Sequence, residues 1–71
     1  MNLRTADEGR EYVVEKICVN DAELEAFLFS LGCYVGEPIT VISRRRSGVT
    51  VAIKDGRYSL DNPLAEAITV K

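Results

Sequence analysis

Hydrophobic and polar residues alternate over short runs, a pattern that predicts a mainly β protein. Residues 12–19 are rich in β-branched side chains. The alternation changes parity within this run, because Tyr12 and Val14 share one face whereas Ile17 falls on the other. A β-bulge near Glu15 would return all three side chains to one face. We therefore predict one bulged strand over residues 12–19.

A single helix is predicted after this strand. Asn20 and Glu23 form an Asn variant of the capping box, which marks a helix start. Apolar side chains then recur at the spacing i, i+3, i+4 and i+7, at Leu24, Phe27, Leu28 and Leu31. Such a stripe is expected to face a core, and Gly32 is well suited to end the helix. The helix is predicted over residues 21–31.

The second half of the chain predicts a β-meander with two tight turns. Asp55-Gly56 is typical of a two-residue type I′ loop, which would set Lys54 opposite Arg57 and Ile53 opposite Tyr58. In this register the apolar side chains of both strands share one face. Lys54 and Arg57 would then form a like-charge pair, which is mildly destabilising.

The first turn of the meander allows two loops. A three-residue loop over residues 46–48 would place Gly48 in the left-handed conformation and keep the apolar side chains aligned. A two-residue loop over residues 47–48 would instead place Arg44 on the core face, where an unpaired Arg is too costly. The three-residue loop is therefore predicted.

The end of the chain predicts one more helical turn and a closing strand. Residues 61–63, Asp-Asn-Pro, would cap a turn that runs through Glu66, and residues 67–70 are long enough for a strand. The total is about five strands with one inserted helix and a short helical turn, which predicts a small, curved β-barrel. With only 71 residues, a single domain over residues 1–71 is expected.

Composition favours a protein of the cytoplasm. The start of the chain has no apolar leader region, and no run of eighteen apolar residues occurs. Cys18 and Cys33 lie fifteen positions apart, which matches neither a disulfide scaffold nor a C-x-x-C motif, so a reducing compartment is expected.

Catalytic, metal-binding and cofactor-binding residues are not predicted. The chain has no His and no glycine-rich phosphate loop, and no nucleophile lies next to a general base in the sequence. The N-terminal acids could in principle bind Fe²⁺ through oxygen, but a solvated acidic edge is the better interpretation. These acids are Asp7, Glu8, Glu11 and Glu15. The two cysteines are expected to behave as small hydrophobic residues.

Charge divides the chain and suggests a partner surface. Residues 1–37 hold eight acids and three bases, whereas residues 38–71 hold three acids and six bases. The bases around the two hairpins are Arg44, Arg45, Arg46, Lys54 and Arg57. They either keep a sheet edge soluble or form a docking face.

Two kinds of residue are candidates for partner binding. In the predicted register Ile42 points outward in a row with Ala52 and Ser59, rimmed by Arg44, Lys54 and Arg57, which would suit an acidic protein partner. Phe29 lies off the helical stripe, and Tyr34 lies in the loop after the helix. Each aromatic is either a partner anchor or part of a secondary apolar cluster.

Three segments together resemble the FeoA family. They are Leu31-Gly32-Cys33-Tyr34-Val35-Gly36, Tyr58-Ser59-Leu60 and Leu64-Ala65-Glu66-Ala67-Ile68-Thr69-Val70. The likeness covers about residues 9–71 in order. One departure is Val35, where many relatives have Pro, so that the loop is less restrained here.

The resemblance implies a fold and a function. Members of the family have an SH3-like barrel with an inserted helix, are cytoplasmic, and support FeoB, a large membrane protein that carries a GTPase domain and moves Fe²⁺. A non-enzymatic accessory role by protein–protein interaction is therefore expected. The alternatives are a nucleic-acid-binding SH3-like domain that uses residues 44–46, which a pI near 5.0 disfavours, and a metal-responsive regulatory domain like that of DtxR-type repressors.

Overall fold

The chain forms one antiparallel sheet of five strands with two helices. A computed structural model describes all residues from Met1 to Lys71. Its elements in chain order are β1 (Glu11–Ile17), α1 (Ala22–Ser30), β2 (Pro38–Arg45), β3 (Gly48–Ile53), β4 (Gly56–Asp61), α2 (Asn62–Ala67) and β5 (Ile68–Val70). The strand order is β4-β3-β2-β1-β5. The predicted mainly β fold with an inserted helix is confirmed.

Strand β1 pairs with two different strands along its length. Its first residues, 11–13, pair with β2, and its later residues pair with β5 from Val14 onward. The register shifts between Val14 and Lys16, which confirms the predicted bulge. Tyr12 and Val14 are buried before the shift, and Ile17 packs against the core after it.

The core draws on a segment for which the sequence pattern indicated no element. Leu3 and Ala6 are fully buried, although they lie in the polar stretch before β1. The N–H of Leu3 donates to the carbonyl of Ile68 at 3.1 Å, and the N–H of Val70 donates to the carbonyl of Met1 at 2.8 Å. The first residues therefore close the core beside β5.

Both ends of α1 are fixed by local hydrogen bonds. The predicted N-cap, Asn20, is wrong by one residue: Asp21 has extended backbone, and its carboxylate accepts from the N–H groups of Glu23 and Leu24 at 2.8 and 3.3 Å. At the other end the N–H of Cys33 donates to the carbonyl of Leu28 at 2.9 Å, and Gly32 has a φ of +88°. This is a Schellman motif, so the predicted helix end is confirmed.

The apolar stripe of α1 does not face the core as a whole. Leu28 is fully buried and Leu31 partly buried, but Leu24 is 40% exposed and Phe27 is 47% exposed. The prediction that all four side chains contact the core is wrong. The helix has only nine residues and meets the core at Leu28, while the N-terminal segment contributes part of the remaining apolar packing.

The turn between β3 and β4 differs from the predicted one. Ile53 pairs with Gly56, so the loop consists of Lys54 and Asp55, and the predicted pairing of Lys54 with Arg57 is wrong. Lys54 takes the positive φ of the turn, +52°. Gly56 lies in the strand, and a Cβ there would come within 2.1 Å of the Tyr58 hydroxyl, so that glycine suits this position. The register moves by two residues, which leaves every side chain on its expected face.

The turn between β2 and β3 is also tighter than predicted. Arg45 pairs with Gly48, which leaves a two-residue loop over residues 46–47 in place of the three-residue loop. A bulge between Val41 and Ser43 corrects the parity, so that Val41 lies in the core opposite Val51, and not opposite Ile53 as the three-residue loop would require. Arg44 stays exposed, and the burial cost that argued for the longer loop does not arise.

The C-terminal elements agree with the prediction. The carboxylate of Asp61 accepts from the N–H of Leu64 at 3.0 Å and caps α2, which has Pro63 in its first turn. Strand β5 follows directly and pairs with β1. Neither helix has the length and apolar character required to cross a membrane.

We predict that Leu28→Ala lowers the free energy of unfolding by about 2 to 5 kcal/mol, because it removes a fully buried side chain. The same substitution at Leu24, which is 40% exposed, should cost less than about 1 kcal/mol. Urea unfolding of the two variants measures the difference. Equal losses would contradict the assignment of the buried face of α1.

We also predict that the two cysteines differ in reactivity. Burial raises the pKa of the Cys33 thiol to about 11, whereas Cys18 is exposed. Iodoacetamide at pH 8 should therefore modify Cys18 in the native protein and Cys33 only after unfolding.

The same pKa shift makes the free energy of unfolding depend on pH. Between pH 9.0 and about 11 the Cys33 thiol keeps its proton in the folded protein and loses it in the unfolded one, so the free energy of unfolding should fall as pH rises through this range.

Mass spectrometry of native and urea-unfolded protein measures the modification, and a Cys18→Ser variant is the control. That variant should take up no label while folded. Labelling of Cys33 at the rate of Cys18 would show that the end of α1 opens readily.

Candidate functional site

A groove with aromatic walls lies where the end of α1 meets the β3–β4 turn. We call it the aromatic groove; its apolar lining consists of Phe29, Leu31, Tyr34, Ile53 and Tyr58. Its volume is about 510 Å³, and its polar lining includes Lys54 and Asp55. Two separate segments of the chain, residues 29–34 and 53–58, build it, so it exists only in the folded protein.

Phe29 and Tyr34 contact each other across the helix end. Their ring centroids are 5.0 Å apart with the planes tilted by 35°. The Schellman motif at Gly32 turns the chain back and brings Tyr34 beside the last turn of α1. Phe29 is nonetheless 65% exposed, so it belongs to a secondary cluster with the loop and does not fill the core. An exposed aromatic pair of this kind is well suited to bind an apolar group.

Lys54 connects the β3–β4 turn to the loop after α1. Its ammonium forms an ion pair with Glu37 and lies 5.4 Å from the centre of the Tyr34 ring. The hydrogen bond to Glu37 raises the pKa of Lys54, with a smaller contribution from Tyr34. A Cβ on Gly32 would lie 2.8 Å from Cε of Lys54, so the lysine stem crosses the helix end where no side chain stands. These contacts hold Tyr34 at the wall of the groove.

The outer sheet face is arranged differently from the prediction. Ala52 lies between Thr40 and Arg57, and Ser59 lies opposite Thr50. The predicted row of Ile42, Ala52 and Ser59 is therefore wrong. Ile42 occupies the bulge of β2 and is 38% exposed, so its side chain does point outward.

Arg44 has a structural partner that the sequence did not reveal. Its backbone N–H donates to the Glu8 carboxylate at 2.6 Å, and its Nη1 donates to the carbonyl of Ala6 at 3.0 Å. Arg44 thus ties the N-terminal segment to β2. Its guanidinium is anchored before any partner arrives.

The six candidate residues therefore do not form one surface. Phe29, Tyr34 and Lys54 meet at the aromatic groove, whereas Ile42, Arg44 and Arg57 lie on the sheet. The sequence pattern missed Tyr58 and Glu37 as members of the first group. Tyr58 was assigned to the core by parity, and Glu37 carries no motif; only the contact with Lys54 identifies it.

No group of three His, Cys, Asp or Glu side chains is arranged to hold a metal ion. The four N-terminal acids are exposed, and Glu8 accepts from the backbone of Arg44. Cys18 is exposed and Cys33 buried. The donor set offers no built metal site.

Solved structures share the whole fold. An iron uptake regulatory protein, FeoA, matches with a TM-score of 0.88 and 21% identity over 100% of this chain and 95% of that one. The FeoA of Stenotrophomonas maltophilia, described as complexed with zinc and as a procaryotic SH3 domain protein, matches with a TM-score of 0.84 and 23% identity over 100% of this chain and 89% of that one. The predicted SH3-like fold is thereby confirmed.

A second type of protein contains the same fold as a part. A manganese-dependent transcriptional repressor matches with a TM-score of 0.89 and 26% identity over 99% of this chain. The chain spans only 40% of the length of that repressor. The fold therefore also occurs within a larger regulatory protein.

Comparison of the sequence with protein-family models identifies the family. No curated protein sequence matches the chain. The family model of the FeoA domain matches residues 1–71, which is the full length described by the structure. The chain belongs to the FeoA domain family.

Proposed function

We propose that residues 1–71 form one non-enzymatic domain that acts in the cytoplasm as an accessory of ferrous iron uptake. Its mode of action is binding to the cytoplasmic part of the membrane transporter FeoB. Membership of the FeoA family supports the link to iron transport. The observation that carries the mode of action is the aromatic groove with its exposed Phe29.

The most exposed apolar side chains of this region favour a protein partner. Phe29, which lines the groove, is 65% exposed, and Val35, which follows Tyr34, is 64% exposed. Aromatic side chains are enriched at the energetic centres of protein interfaces. The ion pair of Lys54 and Glu37 provides a polar rim beside them, as interfaces usually have.

Charge indicates what the partner surface looks like. Helix α1 has Glu23 and Glu25 in its first turn and no base in its last turn. Residues 1–37 as a whole carry eight acids against three bases. The groove itself has Asp55 in its lining and Glu37 at its rim, against Lys54, so a partner segment that combines apolar side chains with Lys or Arg would complement it.

The outer sheet face is the weaker docking candidate. Ile42 is 38% exposed, which is less than Phe29, and Lys54 does not stand beside it as a rim charge. Arg44 is turned toward the N-terminal segment, where its Nη1 donates to the carbonyl of Ala6. The sheet face therefore lacks the ring of cations around Ile42 that motivated its choice from the sequence.

We predict that Phe29→Gln weakens binding to the purified cytoplasmic part of FeoB by about tenfold or more, since loss of an interface anchor typically costs over 1 kcal/mol. Ile42→Gln is the matched control, because it removes an exposed apolar side chain outside the groove. That variant should bind within about twofold of the wild type. Biolayer interferometry measures both affinities, and urea unfolding confirms that both variants fold.

If Ile42→Gln weakened binding more than Phe29→Gln, the docking site would lie on the outer sheet face. Absence of binding by the wild-type chain would contradict the FeoB proposal itself.

The second candidate function is that of a regulatory domain. Its support is the likeness to the manganese-dependent repressor over 99% of the chain.

A further inference from the structure

A second groove, lined mainly by charged side chains, lies at the other turn of the meander. We call it the arginine groove; the side chains that define it are Arg4, Glu8, Arg44, Arg45, Arg46 and Asn62. Its volume is about 630 Å³, within the range of about 300 to 1,000 Å³ that is usual for small-ligand sites. Four arginines and one glutamate give the lining a formal charge of +3, in a chain whose net charge is −2.

Two of the four guanidinium groups are held in place by the protein. Nη1 of Arg4 donates to the Glu66 carboxylate at 2.7 Å, and Nη1 of Arg44 donates to the carbonyl of Ala6 at 3.0 Å. Each of these groups has five N–H donors, so most of them stay available. The positions of these two charges are therefore set before a ligand enters.

The other two arginines have no partner. The side chains of Arg45 and Arg46 make neither an ion pair nor a hydrogen bond within the protein; the turn itself is fixed because the amide of Asn62 donates to the carbonyl of Arg46 at 2.7 Å. Neighbouring like charges repel, and a bound anion would relieve this repulsion while using their donors.

From this arrangement we propose that the arginine groove binds a compact polyphosphate group, either as free polyphosphate or as the phosphate chain of a nucleotide. The planar fork of a guanidinium matches phosphate oxygens in pairs. A terminal phosphate has three free oxygens and can accept from more than one arginine at once, whereas a carboxylate has two. The lining has a single hydrophobic residue, Val49, so it offers little to an apolar ligand.

The test is an NMR titration of the whole chain with inorganic tripolyphosphate, with citrate at equal ionic strength as the carboxylate control. Backbone amides of Arg45, Arg46 and Asn62 should shift in a saturable manner with tripolyphosphate, with a Kd about tenfold or more below that of citrate. Equal affinity for citrate, or shifts away from the groove, would overturn the proposal.

Variants separate the groove from general positive charge. Arg45→Ala and Arg46→Ala should each raise the Kd for tripolyphosphate by about fivefold, because each removes a charge-assisted contact from an exposed site. Arg57→Ala is the matched control, since Arg57 is an exposed arginine on β4 outside the groove lining, and it should change the Kd by less than about twofold. Equal effects of all three substitutions would show that binding depends only on long-range attraction to positive charge, and this result would overturn the proposal.

Further titrations identify the source of the phosphate. Adenosine alone should not shift the groove amides. An ATP affinity above that of tripolyphosphate would point to a nucleotide, and equal affinities would point to free polyphosphate; both outcomes support the groove as a phosphate site. Tighter binding of a single-stranded oligonucleotide, per phosphate, would replace the proposal with a nucleic-acid site.

Discussion

The divided pairing of β1 is the constraint on which the other elements depend. One strand of seven residues pairs with β2 through its first residues and with β5 through its last. The bulge after Val14 lets both halves present apolar side chains to the same core. A regular strand would turn Ile17 away from the core. Because β5 also holds the N-terminal segment, the position of Leu3 follows from the same bulge.

The sequence predicted those features that depend on local rules. The parity change in β1, the Schellman glycine and the Asp61 cap each require particular residues at fixed spacing, and all three are present. The hairpin registers were not predictable in this way. A shift of two residues preserves the alternation of faces between β3 and β4, and the bulge in β2 restores it between β2 and β3. In the observed β3–β4 register the Tyr58 ring covers Gly56, where a larger residue would clash with it.

Long-range contacts explain the remaining differences between the sequence predictions and the structure. The stripe of α1 was expected in the core, but Leu3 and Ala6 from a polar segment supply part of that core. Only part of the candidate site could be predicted. Phe29 and Tyr34 are neighbours because the Schellman motif at Gly32 turns the chain back, and this motif follows from local sequence rules. The ion pair of Lys54 and Glu37 joins residues 17 positions apart, and no pattern in the sequence marks it. The two grooves lie at opposite ends of β3, since Gly48 borders one and Ile53 the other.

The hydrogen bonds that join Met1 to Val70 and Val13 to Lys71 have a consequence for folding. The core closes only when the first and last segments of the chain meet, so much of its stability comes from contacts of high sequence separation. Such a topology folds more slowly than a helical bundle of equal length. A nascent chain that lacks β5 has no partner for the second half of β1 and leaves this strand edge open. The sheet of a growing chain is therefore incomplete until β5 is available to pair with β1.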